Sequence, residues 1–92
     1  MKRYLVKETS TATEQNLNFA GKTCTSWVGK NQQLIRHEAP VGYDLASFDR
    51  TCYMAKDYGY KRRCDAMRSW VYKNPENTKY WHSTVEIVEV EI

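Results

Sequence analysis

Five side chains in this sequence could ligate a soft metal or pair as nucleophile and base: Cys24, Cys52, Cys64, His37 and His82. A structural zinc site takes four ligands, usually as two close pairs. These five are scattered, with no Cys-x-x-Cys and no His-x-x-x-His, so no metal site is expected. A cysteine nucleophile needs a nearby base or a depressed pKa. Cys64 follows Lys61, Arg62 and Arg63, which favour a thiolate, but it also falls on an apolar stripe and reads as a core residue. The four glycines stand singly at 21, 29, 42 and 59, so no Gly-rich loop cradles a phosphate. Glu89 and Glu91 share a strand face but read as solvated charges. No catalytic residue and no cofactor emerge, and the chain reads as a binding protein, not an enzyme.

The chemistry that does concentrate is cationic. Residues 56–73 hold Lys56, Lys61, Arg62, Arg63, Arg68 and Lys73 against Asp57 and Asp65, a net charge of +4 in a chain whose total is +3. The last nine residues carry Glu86, Glu89 and Glu91 and no Lys or Arg. Arg and Lys on one face engage phosphates or carboxylates through charge-assisted hydrogen bonds. Tyr58, Trp70 and Tyr72 lie among them and can stack on bases or anchor a protein contact. The candidate partner-binding residues are therefore Lys61, Arg62, Arg63, Arg68 and Lys73, with Lys30 and Asn31 at a hairpin tip.

The elements that must position these residues follow from period and punctuation. Lys2–Glu8 alternates as a strand, with Tyr4 and Val6 on one face and Leu5 on the other. Ser10–Asn18 is rich in Thr, Asn and Gln and reads as a loop. Lys22–Val28 and Gln33–Glu38 read as strands joined at Gly29–Gln32, where Gly and Asn supply positive φ. Pro40, Gly42 and Asp44 mark an irregular connection. Phe48, Cys52, Ala55 and Tyr58 recur at helical spacing, and Gly59 stops that helix. Tyr60, Cys64, Met67 and Val71 form a second stripe, predicting a helix over Tyr60–Lys73 that buries Cys64 and Met67 and exposes Arg62. Asn74-Pro75 ends it, and Asn74–Lys79 is a turn.

Tyr80–Ile92 reads as a long strand whose apolar residues change phase at Ile87 and Val88, signalling a bulge or a switch of buried face. The order β-β-β-α-α-β gives the α+β class: an antiparallel or mixed sheet of about four strands with one or two helices packed on one face. Basic Lys2, Arg3 and Lys7 opposite acidic Glu86, Glu89 and Glu91 favour pairing the first strand with the last.

The 92 residues suit one compact domain, 1–92, with one modest core. Aromatics are 13% of the chain, including seven Tyr and three Trp. An odd cysteine count, no secretory leader and no apolar run of about 20 residues lead to an expectation of a reducing cytoplasm.

Three stretches carry a family likeness: Met1-Lys-Arg-Tyr-Leu-Val-Lys-Glu, Tyr60-Lys-Arg-Arg-Cys-Asp-Ala-Met-Arg-Ser-Trp and Val85-Glu-Ile-Val-Glu-Val-Glu-Ile. With the length and element order, the chain resembles small phage-encoded anti-CRISPR proteins, inhibitors of the type I-F crRNA-guided surveillance complex. That group shares no motif and differs widely in fold, so no residue role carries over by position. The resemblance implies a stoichiometric inhibitor in the host cell cytoplasm. It would bind the ribonucleoprotein complex, by protein subunits or crRNA, and block target DNA binding or hybridisation. The alternative is a small phage nucleic-acid-binding regulatory module acting without such a complex. No membrane and no small-molecule substrate are expected.

Overall fold

The computed structural model describes residues 1–39 and 48–92, with the side chains of 48–50 left aside. The connection expected at Pro40, Gly42 and Asp44, and the side chain of Phe48, lie outside the described residues. Four strands, β1 (Lys2–Ala12), β2 (Thr23–Val28), β3 (Leu34–Glu38) and β4 (Trp81–Glu91), form one antiparallel sheet in the order β3-β2-β1-β4. Helices α1 (Phe48–Tyr58), α2 (Arg63–Met67) and α3 (Trp70–Lys73) pack against it, which is an α+β fold.

β1 and β4 pair along their whole length without a register break, from Lys2 opposite Glu91 to Ala12 opposite Trp81. The complementary charges read from the sequence meet there. Lys2 Nζ lies 3.6 Å from Glu89 and Lys7 Nζ 3.5 Å from Glu86. Such exposed pairs contribute at most about 1 kcal/mol each, so they select the partner more than they hold it. β1 runs past Glu8 to Ala12, so the polar loop expected from Ser10 begins only at Thr13. Ser10 and Ser83, directly opposite, bond through their hydroxyls at 2.7 Å, which lets a polar pair sit inside the sheet.

Adjacent Leu5 and Val6 are both fully buried. In a strand they point to opposite faces, so β1 is covered twice. On the Leu5 face α1 brings Ala55 and Met54 against Leu5, Ile35, Trp27, Val88 and Val90. Ile35 reaches this core through a bulge: Trp27 is opposite Arg36 but Val28 is opposite Leu34, leaving Ile35 as the extra residue. On the Val6 face lie Tyr60, Ser69, Trp70 and Val71. The helical layer is thus divided between the two faces of the sheet and not packed on one face as expected, because adjacent Leu5 and Val6 each need cover. This division also explains Ile87 and Val88. The ladder has no bulge there, and both side chains are half-buried because each face has its own cover.

The chain changes face at Gly59-Tyr60. β2 leaves β1 unpaired beyond Val6, and Tyr60 fills the gap: Tyr4 N–H donates to Tyr60 O at 2.8 Å, and Tyr60 N–H to Tyr4 O at 2.9 Å. Gly59 is required by proximity. A Cβ there would lie 2.5 Å from the Ala55 carbonyl oxygen and 2.7 Å from Arg3 Cβ.

The single helix expected over Tyr60–Lys73 is not formed. Tyr60 is held in the bridge, Arg62 is extended at φ −129°, ψ 145°, and the chain breaks again at Ser69. Ser69 caps α3, its hydroxyl accepting from Tyr72 N–H at 3.3 Å. With the helix broken, Tyr60, Cys64, Met67 and Val71 cannot share one face. Cys64 and Met67 are exposed, and Ala66 is the buried residue of α2.

Two-sided cover makes a simple test. Leu5→Ala and Val6→Ala should each lower the unfolding free energy by about 2 kcal/mol or more in urea titrations. If either change is neutral, one face of β1 is not a core.

Candidate interaction surface

The expected binding residues of this segment follow the crossing along the chain, on α2, α3 and their flanks. Lys61, Arg62, Arg63, Arg68 and Lys73 are all exposed, Arg62 as expected from the sequence. They differ in what holds them. Arg62 donates from Nε and an Nη to both oxygens of Asp65, at 2.9 and 3.1 Å. That bidentate bond holds the Asp65 carboxyl below its ordinary range and raises Arg62. Arg62 is the N-cap residue of α2 and Asp65 lies in its first turn, where a negative charge is favoured by the helix dipole. The Arg63 guanidinium lies 5.6 Å from the centroid of the Tyr4 ring, a cation–π contact. Among the described residues Lys61, Arg68 and Lys73 make no ion pair.

The hairpin tip joins the same surface. Asn31 and Gln32 border a cavity of about 180 Å³ together with Ser69, Trp70 and Val71. Tyr60 ties the two sides: its phenol donates to Gly29 O at 3.5 Å, and burial pushes the phenol pKa up. Asn31 and Gln32 both adopt left-handed backbone, φ 56° and 58°. Asn tolerates this conformation, but Gln pays about 1 kcal/mol or more, so the tip is shaped against local preference. The positive φ expected of Gly29 falls on Gln32 instead. Gly29 is needed because a Cβ there would clash with the Tyr58 carbonyl oxygen. Lys30 is half-buried and Asn31 exposed. Trp70 is 61% exposed and Met67 44%. Large apolar groups in this position beside free cations have the composition of an interface anchor and its rim.

The sequence did not disclose a second feature, at the opposite end of the sheet. Phe19 and Trp81 pack with ring centroids 6.2 Å apart, and with Tyr80 and Leu17 they line an open cleft of about 710 Å³. Leu17 is 93% exposed. An isolated Leu and Phe in a polar loop gave no periodic signal. Among the described residues no three His, Cys, Asp or Glu side chains come together as a metal-binding group, and no helix is long and apolar enough to cross a membrane. All three cysteines are free thiols. His37 Nδ1 is 2.9 Å from the Ser26 hydroxyl.

No family model, no curated protein and no solved structure matches this chain.

The cysteines report the geometry. Cys64 is exposed, whereas Cys24 is half-buried and its thiol pKa is raised, first by burial and then by Glu76 and Glu8. A raised pKa defers the thiolate to higher pH. Thiol labelling of the native protein at neutral pH should therefore modify Cys64 well before Cys24, with the gap narrowing as pH rises. Equal rates at neutral pH would contradict the placement of α2.

Proposed function

We propose that this chain acts by binding, as an inhibitor that docks on a type I-F crRNA-guided surveillance complex in the host cytoplasm and blocks target DNA binding or hybridisation. The resemblance to anti-CRISPR proteins suggests the partner, and the α2–α3 surface suggests the contact. The observation that carries the reading is Trp70, 61% exposed, in a segment that also exposes Lys61, Arg68 and Lys73, which form no ion pair among the described residues. A free cation on a rim accelerates encounter with an anionic target, and a desolvated indole holds the complex once formed. The guide backbone or acidic side chains of a subunit would meet the cations. The strained tip at Asn31 and Gln32 would extend the footprint.

Arg62 and Arg63 are poorer probes of this surface, since each already has an internal partner. The test is the pair Lys61→Glu with Arg68→Glu, and separately Trp70→Ala, each confirmed folded by circular dichroism. Binding to the purified complex and inhibition of its target DNA binding should fall together by about tenfold or more, and added salt should weaken the wild type. Full inhibition by the folded variants would place the contact elsewhere. Tight binding of the wild type to free RNA or DNA, with a steep salt dependence and no affinity for the complex, would favour the regulatory nucleic-acid module instead.

A further inference from the structure

We infer that the outer edge of β4 is a docking site for a basic, extended peptide segment of a partner protein, which would add as a fifth strand. This inference is independent of the α2–α3 reading. β4 lies at the end of the sheet order β3-β2-β1-β4, so among the described residues one of its edges has no neighbouring strand. Its first residues are covered. Ser83 N–H donates outward to Glu76 O at 2.8 Å, and Trp81 O accepts outward from Thr78 N–H at 2.8 Å. In an antiparallel strand these directions alternate, so the N–H and C=O of Val85, Ile87 and Glu89 also point outward. Among the described residues none of these groups has a partner on that side.

A long open edge is a template for pairing, and folded proteins usually blunt it with a bulge, a proline or charged side chains, lysine above all. Beyond Ser83, β4 has no bulge, proline or lysine: its register with β1 is unbroken, and its only charges are acidic. What it has is Glu86, Glu89 and Glu91. These acids decide the occupant. A second β4 would bring three more carboxylates and no Lys or Arg, and like charges across a strand pair oppose association. A strand bearing Lys or Arg is favoured, and β1 already shows the match: Lys2 reaches Glu89 and Lys7 reaches Glu86 on the inner edge. Both glutamates keep open oxygens, with side chains 43% and 62% exposed. Each carboxylate can accept further hydrogen bonds beyond one lysine. Backbone pairing would supply affinity, and the acids would supply the choice of a basic sequence.

The probe is a synthetic peptide alternating lysine and valine, added to the full chain and followed by residue-resolved amide hydrogen exchange. Before peptide is added, Val85, Ile87 and Glu89 amides should exchange much faster than Glu86 and Val88, whose N–H groups face β1. Addition should slow the first set selectively. Glu89→Pro removes one outward donor while sparing the β1 ladder, and it should weaken peptide binding about tenfold, as should neutralising Glu86, Glu89 and Glu91 to Gln at low salt. A peptide alternating glutamate and valine should not bind. Edge amides already protected in the free chain, concentration-dependent dimers that protect them, or no protection by the lysine peptide would each overturn the inference.

Discussion

The structure rests on the burial of β1 from both sides. Leu5 and Val6 are neighbours in sequence, and neither is reached by water. A strand covered on one face alternates buried and exposed, so two adjacent buried residues demand two covering layers. α1 supplies one through Ala55 and Met54, and the segment from Tyr60 to Val71 supplies the other. In a chain this short, a single helical layer would leave half of the central strand's apolar surface in water. Burying both faces makes a small core serve twice.

The chain therefore has to pass from one face to the other, and the place where it does so shapes the functional surface. Tyr60 completes the hydrogen bonding of Tyr4 where β2 has diverged, so the crossing is stitched into the sheet edge. Gly59 permits the close approach to Arg3 and Ala55. Immediately after this anchored point come Lys61, Arg62 and Arg63. The two short helices that follow cannot offer a long apolar face, so they bury Ala66 and part of Val71 and leave Met67, Arg68 and Trp70 outside. The exposed basic and aromatic surface is thus a consequence of how little side chain the second layer needs to insert.

The sheet was largely legible in the sequence. Period-two alternation located the strands, and the opposed charges of Lys2 and Lys7 with Glu86 and Glu89 identified the first and last as neighbours. The helices were less so. Tyr60, Cys64, Met67 and Val71 have the spacing of one apolar face, but spacing states only which residues would align if a helix formed. A backbone bridge to Tyr4, 56 residues away in sequence, and a local cap at Ser69 prevent it. The first is a tertiary contact with no local signature. The second was open to reading, since Ser is favoured at N-caps. The exposure of Arg62 was legible from its place off the apolar stripe. That Arg62 is spoken for by Asp65 and Arg63 by Tyr4 was not, because the Tyr4 contact is long-range and the Arg62 pair depends on where α2 begins. The cleft at Phe19 and Trp81 was missed because it is assembled by two loops and the first residue of β4.

The account turns on the crossing at Tyr60, which fixes the second layer and the surface it carries. Native-state amide hydrogen exchange at Tyr60 tests it most directly. The bridge to Tyr4 predicts that the Tyr60 amide exchanges only with opening of the sheet, at a free energy close to that of Leu5 and Lys7 in β1. Exchange of Tyr60 at the rate of an unstructured loop, while Leu5 and Lys7 remain protected, would mean that the segment after α1 is not fastened to the sheet.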